Sequence, residues 1–189
     1  MLFGVKINNR VANKRISYVK MFFIPISGTP EIGNFAPSCA HYLRTLSLLL
    51  IMQSINTFFE NYARALEMYN TKGLSFMYHI PCTMLSDEAT SVFTDGGKLE
   101  GFFNQGASFY RQFGIAHVHA DVWMKRELTP RIMLVKLTWH YKDGLGAPIY
   151  SCDYHYTMKL DKNNQWRIIL SVSVNEKERM EEWQRNRRG

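Results

Sequence analysis

The sequence predicts an α+β fold, with helices first and a meander of long antiparallel strands after them. Three observations predict it. Apolar residues fall at three- and four-residue spacing over 55–69 and again over 99–113. From residue 115 onward the period changes to two and holds through four long segments. Turn chemistry separates those segments: Leu128-Thr129-Pro130, Lys142 through Gly146, and Asp161 through Asn164. Helices followed by a run of strands give α+β architecture, and such a sheet buries one face against the helices.

Taken in order, the elements divide the chain into three parts. Residues 1–51 form a poorly patterned N-terminal extension, broken by Gly28, Pro30, Gly33 and Pro37. Its apolar run, Leu46 to Met52, is far short of the ~20 residues a membrane span needs. Two explanations stay open for this stretch: a basic, acid-poor leader ahead of Glu31, or a translation start at Met52. Residues 52–175 carry the patterned domain. Ile55, Phe58, Phe59, Tyr62, Leu66 and Tyr69 mark one helical face, with Ser54 as N-cap and Asn70-Thr71-Lys72-Gly73 as its stop. Leu74 to Ile80 reads as a second short helix that Pro81 breaks. Thr90 to Thr94 is short and β-prone, and Asp95-Gly96-Gly97 is a turn. Leu99, Phe102, Phe103, Tyr110 and Phe113 repeat at helical spacing, and Gly114 suits the position just past a helix end. Gly101 and Gly106 weaken that helix by ~1 kcal/mol each, which implies a close neighbour against them. Strands follow over about 115–126, 131–141, 147–160 and 165–174. Residues 176–189 are a charged helix or tail, with Met180 and Trp183 placed to touch the body.

The formal net charge is +7. Residues 1–50 hold six basic residues and Glu31 alone among acids, whereas the remainder carries 17 basic and 15 acidic residues. No basic stripe runs along one element, so the expected partner is a small molecule or a protein, with no nucleic acid and no membrane. Three cysteines, Cys39, Cys82 and Cys152, make an odd set without a Cys-x-x-Cys, which fits a reducing, cytoplasmic setting. There is no Gly-x-Ser-x-Gly, no phosphate loop and no dinucleotide fingerprint, so no cofactor is expected.

Symmetric pairing of the two middle hairpins sorts the strand side chains onto two faces. One face carries His117, His119, Asp121, Lys136, Thr138, His140, Ser151, Asp153 and His155. It would place Asp121, Lys136 and Asp153 in one row and His117 near His140. Zinc chemistry finds no tight ligand motif there beyond His117-x-His119, so no metal is expected and the face reads as solvated or as a polar dimer interface. The other face carries Val118, Ala120, Val122, Val135, Leu137, Trp139, Cys152, Tyr154, Tyr156 and Met158 and must meet the helices. Its indole N–H and tyrosine hydroxyls need hydrogen-bond partners, either other core groups or a ligand in a cavity between helices and sheet.

The order of these segments resembles a known superfamily. Phe58-Phe59-Glu60-Asn61-Tyr62-Ala63-Arg64-Ala65-Leu66 opens it, then comes a short helix ending Phe76-Met77-Tyr78. A helix after Asp95-Gly96-Gly97 and a meander ending Trp166-Arg167-Ile168-Ile169 complete the order. This arrangement, over about residues 52–175, resembles the nuclear transport factor 2-like superfamily, which includes the SnoaL-like cyclases and ketosteroid isomerase. The resemblance implies a cone: a curved sheet wrapped on helices, a ligand pocket at the open end, and homodimerisation through the outer sheet face. Against ketosteroid isomerase, Tyr62 matches the tyrosine that polarises the substrate oxygen. Tyr156 matches the protonated acid, and a tyrosine can donate the same hydrogen bond. The base position falls on Ser86, with Asp87 beside it, and His79 is a further candidate acid/base at the end of the second helix.

Three functions follow as expectations. The first is a binding module for a small, mostly apolar molecule, lined by Tyr62, Phe103, Trp139, Tyr154 and Tyr156. The second is a cofactor-independent isomerase, cyclase, dehydratase or hydrolase, with Tyr62 and Tyr156 stabilising an oxyanion and Asp87 or His79 as base. The third is a dimeric interaction protein whose pocket is filled by its own side chains.

Overall fold

The computed structural model describes residues 55–188. Within them the α+β expectation holds. Helix α1 is described over 55–67 and turns Ile55, Phe59, Tyr62 and Ala63 inward at helical spacing. The proposed Ser54 cap and the reading of 1–51 lie outside the described residues. The helix ends in a Schellman turn: Tyr69 N–H donates to the Leu66 carbonyl at 3.0 Å and Asn70 N–H to that of Ala65 at 2.8 Å. Tyr69 takes the left-handed conformation at φ 51°, unusual for a bulky residue. Its hydroxyl donates to the Ile115 carbonyl at 2.8 Å and its ring underlies Arg111. Both contacts hold the residue in place.

The Asn70-to-Gly73 segment therefore does more than stop α1. The Asn70 side chain accepts the Gly73 N–H at 2.9 Å and caps α2, Thr71–Phe76. Here one expectation is corrected. The second helix does not run to Ile80; strand β1, Tyr78–Leu85, begins instead and contains Pro81. Proline lacks the ladder donor. It is tolerated because the pairing of β1 with the last strand shifts register between Tyr78 and Thr83. β2, Thr90–Phe93, pairs antiparallel with β1. α3, Gly96–Gln112, is capped by Asp95, which accepts the Lys98 N–H at 2.9 Å, and ends before Gly114 at φ +71°. Nothing lies within 4 Å of a Cβ built on Gly101 or Gly106, so the expected close packing there is absent.

Strands β3 (His117–Thr129), β4 (Ile132–Lys142), β5 (Pro148–Leu160) and β6 (Trp166–Ser173) form the meander. The six-stranded sheet has the order β2-β1-β6-β5-β4-β3; only β1 and β6 run parallel. The predicted faces hold in the middle, where Trp139 pairs with Cys152, Leu137 with Tyr154 and Val135 with Tyr156. The charge row differs. Asp121, Thr138 and Asp153 align, while Lys136 stands opposite His155. His140 opposes His119, not His117, with the two imidazoles stacked at 6.1 Å. Beyond Val122 a bulge at Trp123 moves β3 by one residue, so Met124 faces Lys136. α4, Glu176–Arg188, packs on β5, and Met180 and Trp183 touch the core margin as expected. Trp183 lies 5.3 Å from Phe113 at the end of α3, so α4 ties the sheet to that helix.

Candidate functional site

The inward faces of β4 and β5 are aromatic because their period places Trp139, Tyr141, Tyr150, Tyr154 and Tyr156 on one side. α1 adds Phe59 and Tyr62, and β1 adds Tyr78. Between these walls and α3 lies a cavity of about 460 Å³, a size suited to a small organic ligand. Tyr62, Phe103, Trp139, Tyr154 and Tyr156, the five expected ligand-lining residues, all border it. Its surface is mainly apolar, with Leu66, Leu74 and Phe102 among the contributors.

The hydroxyls form two groups. Deep in the cone, the Tyr62 and Tyr78 hydroxyls are 3.0 Å apart and bonded. Beside them the Trp139 indole N–H donates to the Tyr156 hydroxyl at 2.9 Å. Tyr156 thus acts as an acceptor, and its own proton has no acceptor among the described residues. Burial pushes the Tyr62, Tyr78 and Tyr156 hydroxyls well above the ordinary tyrosine range, and each neighbouring hydroxyl adds to the effect at Tyr62. These groups stay neutral and donate hydrogen bonds rather than charge.

At the mouth, three hydroxyls converge on one carboxylate. Tyr110 and Tyr150 donate to Glu176 Oε1, each at 3.1 Å, and Tyr154 donates to Oε2 through a short bond. Tyr110 also meets the Tyr141 hydroxyl at 3.3 Å. Burial first, and the nearby Glu176 charge after it, push the Tyr110 and Tyr154 hydroxyls up; at Tyr150 burial leads, followed by Tyr110 and then Glu176. Across the mouth, Lys177 Nζ bridges to Glu88 Oε1 at 3.0 Å, linking α4 to the β1–β2 turn.

Two expected acid/base residues stay away. His79 sits on β1, not at a helix end. It follows the inward-facing Tyr78 and does not border the cavity. Asp87 is exposed in the β1–β2 turn; its neighbours Ser86 and Glu88 border the cavity instead, and the Ser86 hydroxyl bonds Glu88 at 3.1 Å. Period-two geometry explains His79, since adjacent residues on a strand point to opposite sides; Asp87 lies in the bend between β1 and β2, with its side chain exposed. Sequence reasoning missed Tyr78, Tyr110, Tyr141, Tyr150 and Glu176. Tyr141 and Tyr150 were legible as continuations of the inward period on β4 and β5. Nothing local marked Glu176, one acid in a charged segment. Among the described residues no group of three or more His, Cys, Asp or Glu side chains is arranged to hold a metal.

A family model described as NTF2-like protein (DUF6841) matches residues 53–176. The chain belongs to this NTF2-like family. No curated protein gives a sequence match. Solved structures share the fold at low identity. An NTF2-like protein with a cystatin-like fold from Novosphingobium aromaticivorans superposes with a TM-score of 0.55 at 11% identity, covering 76% of this chain and 90% of that one. An NTF-2 like protein of unknown function from Shewanella oneidensis gives 0.53 at 10% identity, covering 65% and 98%. A ketosteroid isomerase-like protein from Erwinia carotovora atroseptica gives 0.50 at 8% identity, covering 65% and 93%. These matches bear out the expected superfamily and fold. No helix among the described residues is long and apolar enough to cross a membrane.

Proposed function

We propose that this NTF2-like domain binds a small, mostly apolar organic molecule in the cavity between sheet and helices. The observation that carries the reading is the hollow of about 460 Å³ itself, apolar in its walls and lined by Tyr156, whose proton has no acceptor among the described residues. A filled-core interaction protein would use the same tyrosine-to-tyrosine bonds but would not leave this space. Affinity comes from burying the ligand's apolar body, and direction comes from Tyr156. Neither Asp87 nor His79, the bases expected from the isomerase pattern, borders the cavity, which favours binding over that pattern.

The test is a thermal-shift screen of the full chain against small carbonyl compounds, phenols and epoxides. Ligand at a hundred times its dissociation constant adds ~2.7 kcal/mol, a shift of several degrees. A hit weakened by Tyr156→Phe supports the reading. A flat response across the panel overturns it in favour of the filled-core interaction protein.

We propose in addition that two copies pair across the outer sheet face. Trp123 supports this, half exposed on β3 against His155 and Lys136, in a face that mixes acids and bases. Sedimentation of the full chain as a monomer at micromolar concentration would refute it.

A further inference from the structure

The charges around the cavity are unbalanced in one direction. Its lining holds two carboxylates, Glu88 and Glu176, and one ammonium, Lys177. Lys177 is already paired with Glu88. Glu176 has no lysine, arginine or histidine within salt-bridge distance among the described residues, although it is partly buried. A charge withdrawn from water without a cation is costly unless donors surround it. Three tyrosine hydroxyls supply part of that: two on Oε1 and one on Oε2. A carboxylate offers about four acceptor positions. Among the described residues one, on Oε2, is therefore open, and Glu176 borders the cavity. The surrounding wall is built from aromatic rings, among them Tyr110, Tyr141 and the stacked pair Tyr154 and Tyr156. Such rings attract cations at their faces.

We propose that the ligand is an organic amine in its ammonium form, with its N–H donors on Glu176 and its apolar body in the aromatic hollow. The proposal rests on the cavity-binding reading and narrows it to one class of guest. An anion is disfavoured at the same place, because Glu176 repels it and the one lining ammonium is held by Glu88. A neutral alcohol of the same shape fills the hollow but brings no charge to the carboxylate.

The experiment is titration calorimetry on the full chain at pH 7.5 with matched ligands on three bodies. Tryptamine is compared with tryptophol and indole-3-propionate, 2-phenylethylamine with 2-phenylethanol, and 1-adamantylmethylamine with 1-adamantylmethanol. The expected result is at least tenfold tighter binding of the amine on any body that fits. Glu176→Gln keeps an acceptor oxygen for the tyrosines and removes the charge. It should abolish the amine preference, bringing the amine's affinity to that of the matched alcohol on the same variant. Equal binding of amine and alcohol, tighter binding of the carboxylate, or a preference that survives Glu176→Gln overturns the amine assignment and leaves the cavity reading intact. Binding of no ligand on any body overturns both. The wild-type comparison decides the matter even where the variant does not fold.

Discussion

Tyr156→Phe removes a single oxygen from the core and leaves the ring in place. That oxygen accepts the Trp139 indole N–H at 2.9 Å. Both side chains are almost fully buried, at 2% and 1% exposure. A buried donor stripped of its acceptor costs about 1–3 kcal/mol, more than the net gain from an average hydrogen bond. A water drawn from the adjoining cavity would set the lower end of that range. For a domain of this size the loss corresponds to a fall in the unfolding midpoint of roughly 3–10 °C. Urea unfolding followed by tryptophan fluorescence measures it, as a lower midpoint at an unchanged slope. The same substitution in a Trp139→Phe background provides the control, because the indole N–H is then absent. There the cost of losing the hydroxyl should shrink to under about 0.5 kcal/mol, the rest appearing as coupling between the two sites. An equal cost in both backgrounds would refute the pairing as the reason Tyr156 carries its oxygen.

The remaining predictions concern pH, thiols and the chain's N-terminal part. Seven tyrosines, five buried (62, 78, 141, 150 and 156) and two half-buried (110 and 154), have hydroxyls pushed above the unfolded value, chiefly by desolvation. Their stabilising effect is complete below the unfolded tyrosine value of about 10 and is lost as pH rises from there toward the folded values. Each costs about 1.4 kcal/mol per pH unit in that window, so seven cost roughly 10 kcal/mol per unit. Circular dichroism and the 295 nm tyrosinate band should therefore change together, in one steep transition within about a unit above pH 10; gradual tyrosinate formation with the fold intact would contradict this. Burial pushes the Cys82 thiol up to about 11, and the Cys152 thiol higher still, with Glu176 and Asp153 adding at Cys152. Both should resist an aromatic disulfide reagent at pH 8 until urea unfolds the chain, and rapid titration of both in the native state would refute their placement. A chain begun at Met52 is expected to unfold as cooperatively as the full one and at the same midpoint. A broadened or clearly lowered transition would assign residues 1–51 to the core.

Much of the fold was legible in the sequence, for reasons that are local. Period-two alternation and the turn after Lys142 set the β4–β5 register, so Trp139, Tyr154 and Tyr156 were sorted inward from pattern alone. Gly114 marked the end of α3 through its own backbone, whereas Asp95-Gly96-Gly97, read as a turn, proves to be the cap and first residues of that helix. β1 was misread because its pairing is not local. Tyr78 meets Ile168 across ninety positions of chain, and that parallel partner, rather than propensity, makes an extended strand of a segment containing Pro81. The bulge at Trp123 escaped the pattern for a similar reason, since one extra residue exchanges faces without altering composition.

By itself the sequence determined the class, the order of most elements and the aromatic inner wall, because periodicity and capping depend on neighbours in the chain. The tertiary structure alone decided that a hollow remains behind that wall and that Glu176 borders it. Glu176 reaches Tyr110 from 66 positions away. In sequence it is one acid in a charged segment that reads as solvated. Its role comes from the docking of α4 across β5 toward α3, which brings three hydroxyls to one carboxylate and keeps it partly out of water.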